Sequence, residues 1–398
     1  MDILSVNIGS SSLKFALYPV AGHGVTAPAR VSGLVERLES GVAPRVRISS
    51  AQGVQEAQWP VRAGETPLQA ALSALRPMLS EHLGSLPLAA VAHRIVHGGQ
   101  RFTAPVILDE SVLDDLDALS PLAPLHQPFN LAGVRVCQQV LKGVPQIGCF
   151  DTAFHQTIGP LESMFALPAA LRLQGVRRYG FHGLSYQYVA QVLQGLSDHA
   201  QGRVLMAHLG NGASLCAMQG GRSVATTMGF SALDGLMMGT RSGAIDPGVL
   251  LYLMQQGWDE SRISRLLYRE SGLMGVSGES ADMRTLRASK RPEARQAIDL
   301  FVHRIQREGG GLMTVMQGVD AVVFTGGIGE HDAATRQEVA DGWRVWGVRL
   351  SPTANAAADG RRALRIDAPD SSVQVWVVPT DEGRVAAQEA ARLLKLKP

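Results

Sequence analysis

A strand, a glycine turn and a second strand follow one another at the start of this chain, and this arrangement constrains its fold more than any other feature. In residues 6–15, one Gly, three Ser hydroxyls and one Lys lie between two apolar runs. Backbone N–H groups of a Gly turn, Ser hydroxyls and an ammonium can together bind phosphoryl oxygens. Residues 13–18 alternate as a strand does, whereas a P-loop opens a helix. The segment predicts a strand-turn-strand phosphate loop, with a Ser-rich surface hairpin as the alternative.

Two later segments repeat parts of this arrangement. Residues 204–218 run from an apolar stretch through a Gly turn with His, Asn and Ser into a second apolar stretch. Residues 325–330 form a third Gly turn, which follows a strand candidate at 321–324 and precedes a helical pattern. Such a turn favours nucleotide binding, because N–H groups and the helix dipole face an anion. The repeated device resembles that of the actin, Hsp70 and sugar-kinase class of ATPase.

Length and composition bound the class of protein. A chain of 398 residues is too long for one ordinary core, so two domains are expected. Apolar residues make up 45% and charged residues 18%, which is typical of a soluble enzyme with a large core. The formal net charge of +2 and the lack of a basic stripe argue against a nucleic-acid partner.

The cysteines and the apolar runs bear on the compartment. Cys137, Cys149 and Cys216 lie far apart in apolar surroundings, which predicts buried thiols of a reduced protein. No stretch approaches the roughly 18 apolar residues of a spanning helix, and no targeting segment is recognised. These observations predict a cytoplasmic protein without a membrane partner.

The pattern of apolar and polar residues predicts antiparallel strands at the start of the chain, followed by alternating strands and helices. The predicted strands include residues 31–35, 45–48, 89–96, 144–150 and 373–378, and the predicted helices are 67–83, 128–141 and 384–394. No linker separates the two halves. A chain that returns to its first domain at the end explains that absence.

Two arginines lie at positions where a charged side chain indicates a bound partner. Arg94 lies in an apolar strand and can bind a carboxylate or phosphate in a bidentate manner, or form an internal salt bridge instead. Arg241 lies in a Gly-containing loop, where it can stabilise charge on a transferring phosphoryl group or cap backbone carbonyls. The pattern alone leaves both alternatives open.

Several acids and histidines are further candidates. Asp151 and Glu382 could act near phosphates or with Mg²⁺, or could simply cap helices. His126, His182 and His208 could donate to phosphoryl oxygens or be structural, whereas His97 and His155 are interpreted as structural. No pair of histidines has zinc-ligand spacing, so a zinc cluster is not expected.

Taken together, these motifs resemble the acetokinase family of the actin, sugar-kinase and Hsp70 superfamily over nearly the whole chain. The matching segments are residues 7–14, 93–99, 150–155, 178–185, 208–214, 237–247 and 325–330. The resemblance implies an α/β fold with two duplicated ribonuclease-H-like domains and a cleft between them. Residues 1–150 with 384–398 are expected to form the first domain, and residues 151–383 the second, which carries most of the nucleotide site.

The resemblance also implies the site residues. The implied metal ligands, for Mg²⁺ or alternatively Mn²⁺, are Asn7 and Glu382. The implied catalytic residues are Asp151, His182, Arg241 and His126. Arg94 is implied to bind the substrate carboxylate, and Val96 and Leu125 to line a pocket for the acyl methyl group. The implied nucleotide-binding residues are Ser10, Ser12, Lys14, His208, Leu209, Gly210, Asn211, Gly212, Asp282, Met283, Arg284, Gly327, Ile328, Gly329, Glu330 and His331.

The implied reaction is reversible phosphoryl transfer from ATP to acetate, giving ADP and acetyl phosphate, by a homodimer. A carboxylate is already ionised at neutral pH and nucleophilic, so the reaction needs positioning and charge neutralisation more than a general base. Asp151 is therefore interpreted as orienting an Arg or a magnesium-bound water.

The chain departs from the family pattern at several positions. Ile8 stands where a small residue is usual, and Ala244 stands where Asp is usual. His331 replaces a usual Asn, and Gly383 replaces a usual Glu. Ala232 stands where a Pro commonly closes the acyl pocket, and a wider pocket can admit propionate because one methylene discriminates by only about 1 to 3 kcal/mol.

The alternatives are a propionate or butyrate kinase on the same fold and, more distantly, a non-catalytic ATP-dependent clamp protein. The combination of Arg94, Arg241 and His182 speaks against a clamp, which needs no carboxylate site. Pyrophosphate as the donor is disfavoured by the small residues at 326–329, which leave space for adenosine.

Overall fold

The computed structural model describes residues 1–9, 11–21, 24–38, 43–83, 86–124 and 126–396. The chain divides into two compact units, one formed by Met1–Ala153 with Asp381–Pro398 and the other by Phe154–Thr380. Ser10 and Leu125, which the sequence places at the site, lie outside the described residues. Among the described helices, none is both long enough and apolar enough to cross a membrane.

The first unit is built on one mixed sheet covered by helices. Its described strands are β1 (Asp2–Ile8), β2 (Ser12–Ala21), β3 (Gly24–Val25), β4 (Val31–Glu36), β5 (Arg45–Ser50), β6 (Gly53–Gln58), β7 (Leu88–Ile95), β8 (Val106–Ile107) and β9 (Gln146–Phe150). Its described helices are α1 (Pro67–Leu83), α2 (Glu110–Asp117), α3 (Gln127–Val140) and α15 (Glu382–Leu393), with a 3₁₀ turn at Ser120–Leu122.

The order of strands in this sheet is β6-β5-β4-β2-β1-β7-β9-β8, and β3 pairs with β2. β1 runs antiparallel to β2 and parallel to β7, which is parallel to β9. Alternate residues of β1 and β2, such as Leu4, Val6 and Phe15, are buried against apolar residues of α1 and α3. The central strands are therefore covered by helices, as parallel sheets require.

The second unit repeats this plan. Its described strands are β10 (Arg203–Leu209), β11 (Ala213–Gln219), β12 (Arg222–Thr226), β13 (Ala321–Thr325), β14 (Leu364–Arg365) and β15 (Gln374–Val377). Its described helices are α4 (Pro160–Ser163), α5 (Ala169–Leu173), α6 (Gly183–Gln194), α7 (Pro247–Gln255), α8 (Glu260–Arg269), α9 (Gly272–Ser277), α10 (Met283–Ala288), α11 (Pro292–Val315), α12 (Gly326–His331), α13 (Ala333–Gly342) and α14 (Pro352–Ala357). Two 3₁₀ turns lie at Ala153–Thr157, where the units divide, and at Arg344–Trp346.

The strand order β12-β11-β10-β13-β15-β14 repeats the central pairing of the first sheet. β10 runs antiparallel to β11 and parallel to β13, which is parallel to β15. The registers also correspond, because Asn7 pairs with Lys14 one position before the end of β1, as His208 pairs with Ser214 in β10. The predicted duplication of an α/β ribonuclease-H-like core is thereby confirmed.

Most elements agree with the sequence pattern. The turn predicted at residues 325–330 differs, because Gly326–His331 is itself the short helix α12. In α3, Phe129 is 40% exposed, whereas Leu131 and Val134 are fully buried. The apolar stripe of this helix is therefore narrower than its composition indicates.

Candidate active site

The second unit contains an open cavity of about 960 Å³, a size suited to a small ligand. Its wall is drawn from the β10–β11 turn, the region of α10, and α12. The lining residues are Gly210, Asn211, Ala281, Asp282, Met283, Arg284, Arg287, Ala288, Gly327, Ile328, His331 and Asp332. Three segments that the resemblance assigns to nucleotide binding thus contribute residues to the wall of one cavity.

The β10–β11 turn brings backbone N–H groups close to the start of α12. Gly210 N donates to Gly212 O at 3.0 Å, and a Cβ on Gly210 would lie 3.7 Å from Gly327 N. Gly326 has a φ of +77°, and a Cβ there would lie 2.8 Å from Leu209 O, so only glycine fits. Glycines thus let two backbone segments approach closely, as a phosphate site requires.

His182 and His208 lie next to this turn as a stacked pair. Their ring centroids are 4.2 Å apart, with an interplanar angle of 22°. His182 Nδ1 lies 2.9 Å from Ser214 Oγ, and His208 Nδ1 lies 2.8 Å from Ser185 Oγ. His182 has a φ of +59°, an uncommon backbone conformation that the start of α6 maintains. The hydrogen bonds therefore fix both imidazoles against the turn.

Arg241 reaches the same turn from the loop before α7. A Cβ on Gly212 would lie 3.2 Å from His182 Nε2 and 4.0 Å from Arg241 Nη1. Arg241 Nη1 donates to Ala232 O at 2.9 Å, which holds the guanidinium in place. The glycine therefore leaves room beside an imidazole and a guanidinium, two groups that can both face phosphoryl oxygens.

Not every residue assigned to the nucleotide by resemblance lines the cavity. Leu209 is fully buried in β10, and Glu330 accepts hydrogen bonds from Gly326 N at 2.8 Å and Thr380 N at 3.0 Å. Gly329 O accepts from the buried Arg336. These residues shape the glycine-rich segment rather than the cavity surface.

Asp282 combines a helix cap with an ion pair. Its carboxylate accepts from Arg284 N and pairs with the Arg284 guanidinium at 2.6 Å, and the pKa of Asp282 falls to about 2, chiefly because of the hydrogen bond from Arg284. The cap begins α10 at the edge of the cavity. This carboxylate thus orients Arg284 and the first turn of the helix.

Sequence reasoning missed Arg287 in the cavity wall. Its guanidinium pairs with Glu338 at 2.6 Å and with Asp332 at 3.3 Å, and it donates to Thr335 Oγ1 at 2.9 Å. A cation in a short helix looks like any surface residue in the sequence. Only the fold shows that these contacts connect α10 to α13 beside the cavity.

In the first unit, Arg94 of β7 forms a compact ionic cluster with two carboxylates. Arg94 Nε and Nη2 donate to Asp151 Oδ1 and Oδ2 at 3.0 and 2.6 Å, and Nε lies 3.3 Å from Glu382 Oε2. Asp151 is 1% exposed and the side chains of Arg94 and Glu382 are each 20% exposed. Nη1 makes no hydrogen bond within the described part of the chain, so one edge of the guanidinium is held and the other is available.

The charges of this cluster depend on burial and on one another. Burial raises the pKa of Asp151 to about 6, the Arg94 guanidinium opposes this rise, and Glu382 adds to it. Burial lowers the pKa of Arg94, but the Asp151 and Glu382 carboxylates raise it by more. The guanidinium therefore remains charged at all working pH values, whereas Asp151 titrates in the weakly acidic range.

The first turn of α15 positions Glu382. Asp381 caps the helix by accepting from Arg384 N at 3.0 Å, and the same oxygen accepts from the Tyr18 hydroxyl at 2.5 Å. A Cβ on Gly383 would lie 2.9 Å from that hydroxyl. The unusual Gly at this position therefore makes room for the Tyr18 contact beside Glu382.

The remaining predicted residues of the first unit lie near strand and helix ends. Asn7 and Lys14 are paired neighbours at the β1–β2 turn, which Ser12 enters as the first residue of β2. Val96 is 7% exposed immediately after β7, and its N–H donates to Asn130 Oδ1. His126 precedes α3 and accepts from Asn130 N through its carbonyl.

His97 and His155 are buried side chains. His155 lies 2.8 Å from Ser223 Oγ and 2.9 Å from Phe181 O, and His97 Nδ1 accepts from Gly99 N at 2.9 Å. Burial lowers the pKa of each to about 4. Both imidazoles are therefore neutral at physiological pH and bind neighbouring groups, in agreement with a structural role.

The duplicated sheet, the glycine turn against a helix start and the cavity beside them define the class of actin-like ATPases. Comparison with known proteins narrows this class. The model of the acetokinase family matches residues 2–388. An acetate kinase of Rhodopseudomonas palustris is 47% identical over 399 residues, 98% of each chain. The chain therefore belongs to the acetokinase family.

Solved structures agree with this assignment. A propionate kinase from Francisella tularensis superposes with a TM-score of 0.88 at 35% identity, over 98% of each chain. An acetate kinase from Porphyromonas gingivalis superposes with a TM-score of 0.85 at 35% identity, over 99% of each chain. The predicted family and fold are thereby confirmed, and the protein is a phosphotransferase.

Proposed function

We propose that this protein transfers the γ-phosphoryl group of ATP reversibly to acetate, giving ADP and acetyl phosphate. The observation that carries the proposal is the half-satisfied guanidinium of Arg94, one edge of which is held by Asp151 while Nη1 has no hydrogen bond within the described residues. A second carboxylate fits that edge, because guanidinium groups bind carboxylates in a bidentate manner. The acetate kinases of Rhodopseudomonas palustris and Porphyromonas gingivalis support the choice of acetate, whereas the propionate kinase of Francisella tularensis supports the alternative acceptor.

The second unit supplies the nucleotide site of the proposal. The cavity of about 960 Å³ accommodates adenosine, and the close approach of the glycine turns at Gly210 and Gly327 leaves room for the phosphates at its wall. In the first unit, Ser12 and Lys14 of the opening hairpin contribute to the nucleotide phosphates, as the resemblance implies. In this proposal acetate, the acceptor of the phosphoryl group, is bound by Arg94 of the first unit.

The chemical step needs charge stabilisation more than proton transfer. The acetate oxygen attacks the γ-phosphorus while the bond to the bridging oxygen of ADP breaks, so no proton moves. Arg241 and His182 stabilise the negative charge on the equatorial oxygens, and Arg94 keeps the carboxylate in line. Asp151 acts through Arg94 and is a positioning residue. His126 remains a predicted active-site residue.

The residues implied for a divalent metal fit such an ion. Asn7 and Glu382 offer oxygen donors, and Mg²⁺ needs only one or two protein oxygens besides waters and nucleotide phosphates. Glu382 is oriented by the Tyr18–Asp381 contact and is partly open to solvent. When bound, Mg²⁺ or Mn²⁺ neutralises charge on the phosphates.

A panel of acceptors tests the proposal. Rates with ATP and acetate, propionate or butyrate are measured by trapping the acyl phosphate with hydroxylamine. The proposal predicts that acetate gives the highest kcat/KM. A preference for propionate or butyrate would reassign the acceptor, and ATP binding without acyl phosphate from any of the three would refute the kinase function.

The pH profile reports on Asp151. Because its pKa is raised to about 6, the carboxylate is lost as the pH falls through that value, and Arg94 then loses its orientation. We expect kcat/KM for acetate to fall below about pH 6. Asp151→Asn should lower kcat/KM by about 10 to 100-fold, mainly through KM, and abolish this acid limb.

The control for this profile is Asp117→Asn, which removes a carboxylate from the surface pair with Arg135. It should retain both the rate and the acid limb. Near-normal turnover and metal dependence in Asp151→Asn would show that Asp151 has no essential role.

Tyr18→Phe tests the positioning of Glu382. Loss of the hydrogen bond to Asp381 should lower the free energy of unfolding by about 1 kcal/mol and raise the Mg²⁺ concentration for half-maximal rate by about two- to tenfold. Tyr179→Phe is the matched control, because it removes a hydroxyl that donates to Gly175 O in the other unit. An unchanged Mg²⁺ requirement in Tyr18→Phe would contradict the proposed metal site.

We also infer a homodimer in the cytoplasm. Helix α7 supports the dimer, because Leu251, Tyr252 and Met254 are 62%, 58% and 54% exposed, which is unusual for large apolar residues on a solvent face. The buried free thiols of Cys137, Cys149 and Cys216 support a reducing compartment. Sedimentation at micromolar concentration measures the oligomeric state.

A further inference from the structure

His331 stands at the end of α12, in the wall of the cavity. Gly327 and His331 are four residues apart and therefore lie on the same face of this helix, about 6 Å along its axis. Gly327 lies close to Gly210, and this close approach of two glycine turns leaves room for phosphates. A nucleotide that extends along this face brings its base toward His331.

The imidazole of His331 is fixed at one edge. Nδ1 lies 2.9 Å from the carbonyl oxygen of Asp359, and a Cβ on Gly360 would lie 2.3 Å from Cε1 and 2.8 Å from Nδ1. Gly360 has a φ of +76°, which favours glycine, so the ring rests directly on this backbone. The ring edge at Nδ1 is thus in contact with residues 359 and 360.

This contact determines the tautomer of the neutral ring. A carbonyl oxygen only accepts, so the single proton of the imidazole must be on Nδ1. Nε2 then carries a lone pair and makes no hydrogen bond within the described part of the chain. His331 therefore offers the cavity an acceptor, whereas an amide side chain, such as the Asn usual in the family, can rotate to offer either a donor or an acceptor.

The backbone that holds this edge is itself held by a buried arginine. Arg336 donates to Gly329 O and Glu330 O at 2.9 Å each, and to Asn355 O and Ala358 O at 2.7 and 3.1 Å. It therefore ties the end of α12 to the segment that precedes Asp359. The acceptor at Nε2 is on a rigid support.

We propose that His331 selects the base of the nucleotide donor, favouring a purine with an amino group at position 6 over one with a carbonyl oxygen there. The amino group of adenine donates to Nε2, whereas the oxygen of hypoxanthine or guanine meets a second lone pair. The inference rests on the proposed function, because it concerns the nucleotide of that reaction.

Three donors that differ at position 6 test this selection. ATP carries a donor there, purine riboside triphosphate carries hydrogen, and ITP carries an acceptor. With saturating acetate, kcat/KM should fall in that order, with ATP exceeding ITP by about tenfold or more. Equal values for the three donors would overturn the proposal, whereas inactivity with all of them would refute the proposed function instead.

Two variants separate hydrogen bonding from the shape of the cavity. His331→Asn keeps a donor at the position of Nδ1 but has nothing at Nε2, so it should lose most of the preference through a higher KM for ATP. His331→Gln reaches the position of Nε2 with an amide that turns either way, so it should use ITP nearly as well as ATP. The proposal would be overturned if both variants kept the ratio of kcat/KM for ATP to kcat/KM for ITP that the unmodified protein shows.

Discussion

Replacement of Arg241 by alanine is expected to lower kcat by about 10³- to 10⁵-fold, the range observed for arginines that stabilise a transferring phosphoryl group. The guanidinium lies beside the glycine turn, where a Cβ on Gly212 would be 4.0 Å from Nη1. Because the charge on the equatorial oxygens is greatest in the transition state, the loss should appear in kcat and much less in the KM for ATP.

Arg222→Ala is the matched control for this variant. Arg222 is exposed at the start of β12 in the same unit, and its removal should leave the rate within about twofold. A kcat for Arg241→Ala within tenfold of the unmodified protein would show that Arg241 only caps the carbonyl of Ala232.

The second large effect is expected from Arg94→Leu. The substitution removes the proposed carboxylate ligand and leaves Asp151 buried without its partner. We expect kcat/KM for acetate to fall by at least about 10³-fold. The free energy of unfolding should fall by about 3 to 5 kcal/mol near pH 7, because breaking a buried pair leaves an uncompensated charge. Urea denaturation and the hydroxylamine assay measure the two effects.

Two further variants keep this prediction independent of stability. Arg94→Leu combined with Asp151→Leu should regain most of the stability but none of the activity, because an apolar pair can replace a buried ion pair. Arg94→Lys keeps the charge but loses the planar fork, so its main effect should be a higher KM for acetate. Activity in the double variant would show that acetate binds elsewhere.

Much of the fold could be predicted from the sequence because hydrophobic periodicity reports local structure. The alternation in residues 13–18 predicted the strand β2, and the apolar period of residues 67–83 predicted α1 with its observed bounds. The two hairpins at residues 6–15 and 204–218 predicted the duplication, which the matching strand orders confirm. Helix α12 differed from the turn predicted for residues 325–330, because glycines usually indicate a turn.

The site could be predicted only in part, since it depends on distant contacts. The glycine turns within residues 204–218 and 325–330 indicated phosphate and nucleotide binding, and the resemblance added residues 282–284. The structure places members of all three segments around one cavity. The sequence carries no signal for the hydrogen bond between Tyr18 and Asp381, which are 363 residues apart. It also carries none for the hydrogen bond between His331 and the carbonyl oxygen of Asp359. Such contacts follow from tertiary packing and have no local pattern.

In the proposed reaction a carboxylate attacks the γ-phosphorus directly, without a phosphorylated side chain as intermediate. The stereochemistry at phosphorus tests this claim most directly. With ATP made chiral at the γ-phosphoryl group by oxygen isotopes, a single in-line transfer to acetate inverts the configuration. Direct transfer therefore predicts inversion in the acetyl phosphate formed. Retention would indicate two successive transfers through the protein and would contradict it.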